Sequence, residues 1–348
     1  MKSKGILRWK LYVWLACVLT VCPVAARKFV HPGVLHTKVR MEQIRKLAED
    51  KDSEAYASFL LLKEHPCAQA DYKMEGPFET ISRDGSFGWT KSKMERDFSA
   101  AYLNALMWGI TGEEAHARKA AEVLTAYART LKRIPDTNDA PLLAGLEGFK
   151  IVYSLEMLKH SWRKMPAKDY EEAQRMLTGL FLPVLETFYK RNPYTNGNWG
   201  VIATKTYMAA AILLDDNEMY EKARAFYLGA RDNGTLENYI DGETGQLQES
   251  GRDQSHCMLG LGAMATVCEL AWQQNDDLYS AMDNRLLKGY EYVARYNLGY
   301  EVPFKRWTDI TGKYCDWVKV SDRARGRYMY VFDIAYNHYV NRMGMPMP

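Results

Sequence analysis

Apolar residues recur at helical spacing along almost the whole chain, and this periodicity constrains the fold more than any other feature of the sequence. Few stretches alternate apolar and polar residues as strands do. Some helical stretches, such as 207–214 and 258–270, are apolar nearly all round, which is typical of buried helices. Others, such as 219–231 and 276–295, carry charges on one face, as surface helices do. The sequence therefore predicts an all-α protein with two kinds of helix.

The two kinds of helix alternate along the chain, which predicts an inner ring and an outer ring of antiparallel helices. This architecture is an (α/α)n toroid, here in a single domain. An α-solenoid is the alternative, but the sequence shows no fixed repeat period. Residues 66–92 and 298–322 are the least helical and are predicted to be long loops. The predicted helices span 38–50, 53–64, 93–111, 114–132, 141–159, 168–190, 199–214, 217–231, 252–274, 276–296 and 325–341.

Residues 1–26 have the pattern of a secretory signal peptide. Four basic residues precede a short apolar run, and Val24-Ala25-Ala26 offers small residues for cleavage before Arg27. We expect export to the periplasm or the extracellular space, with residues 27–348 forming the toroid domain. A membrane anchor is disfavoured because the apolar run is short. An outer-membrane lipoprotein attached through Cys22 is a second alternative, but Val21 fits a lipid-attachment site poorly.

The charge balance argues against a nucleic-acid partner. Four of the 46 basic residues lie in the predicted signal, which leaves 42 against 43 acidic residues and a net charge of −1. Proteins that bind nucleic acids normally show a basic surplus.

The four cysteines outside the signal are widely spaced and do not predict a disulfide scaffold.

The ring architecture predicts where a functional site would form. Every inner helix of a toroid begins on the same side, so the segments that precede the inner helices converge. These segments are 89–97, 139–150, 196–199, 249–256 and 314–330. They hold many of the polar and aromatic residues that a sugar-binding site requires.

The stretch 246–256 carries the strongest catalytic signal. Arg252 and His256 are four residues apart and share one face of a helix. His256 is a candidate general base or acid, and Arg252 is suited to holding a carboxylate. Glu249 and Gln254 are predicted to contact the substrate. The alternative is a capped helix start with a hydrogen-bonded core histidine.

A second stretch, 194–200, opens the most apolar predicted inner helix. The Asn198 amide can hydrogen-bond a substrate carboxyl group, and Trp199 offers a flat surface for stacking on a sugar ring. A turn with a packed tryptophan is the alternative, because Asn-Gly is a common turn pair.

The predicted loop after residue 297 supplies tyrosines and arginines. Tyr300 and Tyr314 are both candidates for an acid or base that acts on a leaving oxygen, and the sequence does not choose between them. Arg327 is a candidate contact for an anionic substrate, although a solvated basic face would look the same.

The seven histidines include no HxxxH pair, so neither a metal site nor a cofactor is predicted.

Together these residue types suit β-elimination from a uronic-acid polysaccharide. Hydrogen bonds or a cation on the carboxylate make the neighbouring C5 proton removable, which suits Asn198 and Arg252. A base then takes the C5 proton and an acid protonates the O4 leaving group, which suits His256 and a tyrosine.

Short motifs of one family occur in order at 196–200, 249–256, 259–262, 271–279, 284–287, 294–299, 302–304 and 336–339. In these motifs the chain resembles the alginate lyase family of helical polysaccharide lyases, and in particular the branch found in Bacteroides-type glycan-degrading bacteria. The resemblance implies an (α/α) toroid that acts on alginate or a related polyuronate such as glucuronan. Better-known members place a histidine directly after the catalytic asparagine, whereas here Trp199 follows Asn198.

Two other functions remain open at this level. A toroidal glycoside hydrolase would need a pair of convergent acids, with Asp97 or Glu147 beside Asp253. A non-catalytic glycan-binding envelope protein would use Trp199, Trp89 and Trp317 as a stacking platform, but it has no use for a histidine beside an arginine.

Overall fold

The computed structural model of the chain describes residues 27–191, 193–327 and 329–346. The predicted signal peptide, residues 1–26, lies outside this range, so its cleavage stays a prediction. Between described residues, β-pairing is limited to the isolated bridges Thr80–Arg133 and Ile240–Leu247, which confirms the all-α class. The α-helices are α1 (Lys38–Glu49), α2 (Glu54–Glu64), α3 (Lys91–Thr111), α4 (Glu114–Thr130), α5 (Ala140–Met157), α6 (Ala167–Met176), α7 (Leu182–Lys190), α8 (Gly197–Leu213), α9 (Asn217–Gly229), α10 (Leu236–Tyr239), α11 (Gln254–Gln273), α12 (Ala281–Asn297) and α13 (Val331–Tyr336).

Wider π turns extend one of the predicted helices and lie inside another. A π turn at Leu158–Trp162 continues α5, and another at Leu177–Phe181 joins α6 to α7. The last predicted helix, 325–341, begins only at Val331, so its predicted start is wrong. The preceding residues bind instead to neighbouring helices: the Gly326 N–H donates to Asn297 Oδ1, and the Arg325 side chain donates to the Tyr296 carbonyl oxygen.

The helices form two layers, as the alternation of apolar and amphipathic segments predicts. Helices α3, α5, α8, α11 and α13 pack side by side in that order and form the inner layer. Helices α4, α6, α7, α9 and α12 pack against their outer sides. Nearly every residue of α5 and α8 is buried, so these two helices carry the centre of the core. The (α/α) toroid is therefore confirmed.

The inner helices approach each other closely. A Cβ atom at Gly145 of α5 would lie 2.7 Å from Cγ2 of Ile202 in α8, a distance that real Cβ contacts do not reach. The Thr206 hydroxyl donates to the Gly145 carbonyl oxygen across the same contact, at 2.5 Å. Glycine at this point therefore allows the close spacing of α5 and α8.

Two further expectations concern the described residues. Cys67, Cys257, Cys268 and Cys315 are all free thiols, and the sequence predicted no disulfide scaffold. Among the helices of the described ranges, none is long and apolar enough to cross a membrane.

Candidate active site

The beginnings of α8 and α11 meet on one side of the toroid. The backbone N–H of Asn198, in the first turn of α8, donates to Glu249 Oε2, just before α11, at 3.3 Å. The loop that follows α12 covers this junction, because the Ser321 N–H donates to the Ser250 carbonyl oxygen at 2.9 Å. Three of the predicted converging segments thus come into contact.

Asn196 is the centre of a hydrogen-bond network at this junction. Its side-chain oxygen accepts from the Tyr314 hydroxyl at 2.6 Å and from Arg252 Nη1 at 3.3 Å. One oxygen atom of Asn196 therefore joins three residues that are far apart in the sequence. The sequence argument did not assign Asn196 a role, because a helix-capping asparagine looks the same in sequence as a network centre.

Glu249 supports this network from beneath. Its side chain is fully buried, and Oε1 accepts from Arg252 Nη1 at 2.8 Å. Oε2 accepts from the Tyr239 hydroxyl at 3.1 Å. Burial raises the pKa of Glu249, and the neighbouring Arg252 charge opposes that rise. Glu249 was predicted to contact the substrate, but the structure places it behind Arg252, where it positions the guanidinium.

Replacement of Glu249 should weaken the fold as well as the site. Glu249→Ala removes the acceptor of the Arg252, Tyr239 and Asn198 donors, and the last two are buried. We expect the free energy of unfolding to fall by about 3 kcal/mol, as for other buried polar groups that lose a partner. Denaturant unfolding measures this change, and an unchanged midpoint would show that the three donors find other partners.

The Asn198 side chain is buried, with 1% of its surface exposed, yet neither Nδ2 nor Oδ1 has a hydrogen-bond partner among the described residues. A buried amide without partners costs free energy, so such groups in native proteins usually serve a ligand or water. The amide lies in the first turn of α8, where helix N–H groups also favour negative charge. Asn198 is thus a candidate donor to a substrate carboxylate.

His256 lies in the first turn of α11 and is held by Asp253. Asp253 Oδ1 accepts from the His256 backbone N–H at 2.8 Å, and Oδ2 lies 2.6 Å from His256 Nδ1. Although burial opposes it, these two hydrogen bonds hold the pKa of Asp253 below its usual range. Oδ2 of an ionised Asp253 accepts a hydrogen bond from the Nδ1–H group of His256, and in that tautomer Nε2 is the ring nitrogen that can accept a proton.

A cleft opens beside His256 and continues along α8 and α11. Its first part, of about 490 Å³, is lined by His256, Leu259, Arg327 and Tyr330. Its second part, of about 330 Å³, shares Leu259 and Tyr330 and reaches Lys205. Burial lowers the pKa of Lys205 to about 8. The basic residues Arg327 and Lys205 thus lie at the two parts of one cleft, as an anionic chain requires.

The loop after α12 is fixed over the start of α11. Gln254 Nε2 donates to the Ser321 carbonyl oxygen at 3.0 Å, and its Oε1 accepts from Asn297 at 2.9 Å. Trp317 packs so tightly on Gly251 that a Cβ atom there would lie 2.5 Å from Trp317 Cβ. Gln254, predicted as a substrate contact, therefore has both ends of its amide occupied and positions the loop that carries Tyr314.

The structure separates the two candidate tyrosines. The Tyr314 hydroxyl lies in the network, and its ring packs on Trp317 with centroids 4.5 Å apart. Partial burial raises the pKa of Tyr314, although the nearby Arg252 charge lowers it. Tyr300 is 62% exposed, and no hydrogen bond between described residues joins its hydroxyl to Asn196, Arg252 or His256. The geometry thus favours Tyr314.

Trp199 and the two acids considered for a hydrolase, Asp97 and Glu147, are engaged in contacts within the fold. Trp199 is 9% exposed and stacks on Tyr194, so one face of its ring is already covered. Asp97 is buried and accepts from the hydroxyls of Tyr72 and Tyr127 and from two backbone N–H groups. Glu147 is buried and paired with Lys150 at 2.9 Å. Neither acid is free to act on a glycosidic bond.

Comparison with known proteins agrees with this fold. The sequence model of the family described as Alginate lyase matches residues 46–304. The protein is therefore a polysaccharide lyase, which argues against the hydrolase and the non-catalytic binding protein. More particularly, the chain belongs to the alginate lyase family, as its sequence motifs indicated. A comparison with curated protein sequences found no match.

Solved structures of similar fold come from alginate lyases. The crystal structure of alginate lyase A1-III from Sphingomonas species A1 has a TM-score of 0.60 at 13% identity, over 91% of this chain and 90% of that chain. A variant of alginate lyase A1-III complexed with a tetrasaccharide has a TM-score of 0.65 at 12% identity, over 91% and 90% of the two chains. A second such variant complex has a TM-score of 0.62 at 13% identity, over 91% and 89%. At these identities the likeness extends to the fold alone.

Proposed function

We propose that the protein cleaves alginate or a related polyuronate by β-elimination and leaves a 4,5-unsaturated uronate at each new non-reducing end. The observation that carries this proposal is the buried Asn198 amide, which has no hydrogen-bond partner among the described residues and lies next to the Arg252 network. A donor of this kind beside a cation suits a substrate carboxylate better than it suits a neutral sugar.

The first step is stabilisation of the substrate carboxylate. Arg252 uses Nη1 to bind Glu249 and Asn196, while Nε and Nη2 donate to no other described residue. These donors and the Asn198 amide together would take the charge that develops on the carboxylate as the C5 proton leaves. Donors that are already in place cost no reorganisation in the transition state.

The second step is proton transfer by two different residues. His256 Nε2 accepts the C5 proton, because Asp253 holds the other ring nitrogen as a donor. The electrons of the C5–H bond form the C4–C5 double bond as the C4–O4 bond breaks. The Tyr314 hydroxyl, which stays protonated at neutral pH, gives its proton to O4.

A panel of polymers tests the function and identifies the substrate. Purified protein is incubated with polymannuronate, polyguluronate, glucuronan and a glycosaminoglycan, and the ultraviolet absorbance of the unsaturated uronate is followed. We expect a rise with at least one of the uronate polymers. No rise with any of them, together with new reducing ends, would contradict elimination.

Loss of the Asn198 amide should slow turnover more than it weakens binding. We expect Asn198→Ala to lower kcat by about 10²–10³, the usual cost of one preorganised donor to a developing negative charge. Asn198→Asp, which keeps the shape but repels the carboxylate, should be at least as slow. A change in KM alone would show that the amide binds the ground state only.

Export is part of the proposed function, because a long polysaccharide does not enter the cytoplasm intact. The signal-like pattern of residues 1–26 supports it, with Arg27 as the first residue of the mature chain. Determination of the N-terminus after expression in a bacterial host tests this prediction. A chain that keeps Met1 and stays in the cytoplasm would contradict it.

A further inference from the structure

A second cluster of titratable side chains lies on the opposite side of the toroid from the candidate active site. Glu156 is in the last turn of α5, and His160 lies in the π turn that continues this helix. His31 comes from the segment before α1, and its Nδ1 lies 2.8 Å from Glu156 Oε1. One ligand atom from each of these three residues lies within 4.8 Å of those of the other two.

Two atoms of the cluster lack a hydrogen bond although they are buried. Glu156 Oε2 and His160 Nε2 are 3.7 Å apart, and neither has a partner among the described residues. The Tyr170 hydroxyl is buried and unpartnered as well. Burial raises the pKa of Tyr170, and the charges of Glu156 and Asp215 add to that rise, so this hydroxyl lies near the same cluster. A buried polar group that stays unpaired destabilises the fold, so such groups in native proteins usually have a ligand or water as partner.

We propose that His31, Glu156 and His160 bind a divalent metal ion such as Zn²⁺, with Asp215 as the residue that orients His31. The ligand atoms are His31 Nδ1, a carboxylate oxygen of Glu156 and His160 Nε2. The other nitrogen of His31, Nε2, lies 3.1 Å from Asp215 Oδ1. A carboxylate on the outer nitrogen of a ligating histidine is a common feature of zinc sites.

The separations within the cluster suit such an ion. The rings of His31 and His160 are stacked, with centroids 4.5 Å apart and planes 13° apart, so the half-buried His160 ring must turn for both nitrogens to face one ion. Zinc–nitrogen and zinc–oxygen bonds of about 2.0–2.2 Å place two tetrahedral ligand atoms about 3.4 Å apart, close to the separation of the unpartnered pair. The His31 and His160 side chains are 16% and 21% exposed, which leaves a path for the ion and for a water molecule as fourth ligand.

The alternative is a buried cluster held by protonated histidine. Hydrogen bonding to Glu156 raises the pKa of His31, which favours such an ion pair. An ion pair between His31 and Glu156 accounts for Glu156 Oε1, which also accepts from the Gly33 N–H. It leaves Glu156 Oε2, His160 Nε2 and the Tyr170 hydroxyl without a hydrogen-bond partner among the described residues. A metal ion and its water would give all three a partner.

A metal at this position would have a structural role. The three ligands and Asp215 come from the segment before α1, the end of α5 and the turn after α8, so the ion would hold these parts of the chain together. Helix α8 has 17 residues, so its two ends are separated by about 25 Å at the usual rise per residue. The ion is therefore too far from Asn198 to take part in the proposed elimination.

Metal content and cobalt spectroscopy test this site directly. The full mature chain is purified without a histidine tag, freed of metal with a chelator, and titrated with Zn²⁺ and Co²⁺. We expect one ion per chain and a cobalt spectrum of nitrogen and oxygen ligands without a thiolate charge-transfer band. A thiolate band would place the ion at a cysteine and overturn the assignment.

Matched variants connect the ion to the cluster. Glu156→Gln and His160→Gln should lose the stoichiometric ion, whereas His65→Asn, which removes an exposed histidine elsewhere, should keep it. Zinc should raise the Tm of the parent and of His65→Asn and should leave the Tm of His160→Gln unchanged. Equal zinc binding by His160→Gln and the parent, or no zinc binding by the folded parent, would overturn the proposal.

Discussion

Tyr314→Phe should lower kcat by about 10²–10⁴, the range that general acid catalysis contributes, with little change in KM. The substitution removes one oxygen atom and keeps the ring that packs on Trp317. The Tyr314 hydroxyl also donates to Asn196 Oδ1, which holds it beside Arg252 in the free protein. We expect the fold to be unchanged, because the Arg252–Glu249 ion pair remains.

Tyr300→Phe is the matched control for this experiment. Tyr300 lies in the same loop but is 62% exposed, so removal of its hydroxyl should leave kcat within about twofold of the parent value if no acid catalysis is lost. If Tyr300→Phe is the slow variant and Tyr314→Phe is not, the assignment of the acid is wrong. A Tyr314→Phe variant with parental kcat would contradict it equally.

His256→Ala should lower kcat by about 10²–10⁴ through loss of the base. The start of α11 should remain intact, because the contact that caps it runs from Asp253 Oδ1 to the backbone N–H of residue 256. The variant should therefore unfold at nearly the parental temperature. Added imidazole should restore part of the rate, since a small base can occupy the space left by the ring.

Asp253→Asn separates the base from the residue that orients it. An amide in place of the carboxylate no longer fixes the Nδ1 proton of His256, so Nε2 is no longer held as the acceptor. We expect a smaller loss of kcat than in His256→Ala and no rescue by imidazole. Parental turnover in folded His256→Ala would contradict the assignment of the base. If imidazole restored the rate equally in His256→Ala and Asp253→Asn, Asp253 would not act through the His256 ring.

The sequence predicted the helices well because their pattern depends on local periodicity and burial. Helices α8 and α11 are apolar on nearly all sides, and the structure buries them at the centre of the toroid. The predicted start of the last helix was wrong because the residues around Gly326 bind to α12 instead of continuing a helix. Contacts between distant segments decide such ends, and periodicity does not record them.

The site was predictable in part for the same reason. The sequence placed Asn198, Arg252 and His256 at the beginnings of inner helices, and the structure brings the first two into one network through Glu249. It did not choose between Tyr300 and Tyr314, because the choice depends on a hydrogen bond to Asn196, which lies 118 positions away in the chain. The histidine spacing likewise gave no sign of a cluster in which His31 and Glu156 are 125 positions apart.

The most direct test of the proposed chemistry is the ratio of unsaturated uronate ends to new reducing ends during cleavage of the preferred polymer. Ultraviolet absorbance counts the first and a reducing-sugar assay counts the second in the same sample. Elimination predicts equal numbers throughout the reaction. New reducing ends without a matching rise in absorbance would show that water is added to the bond, and would contradict the account of Asn198, Arg252, His256 and Tyr314 as an elimination site.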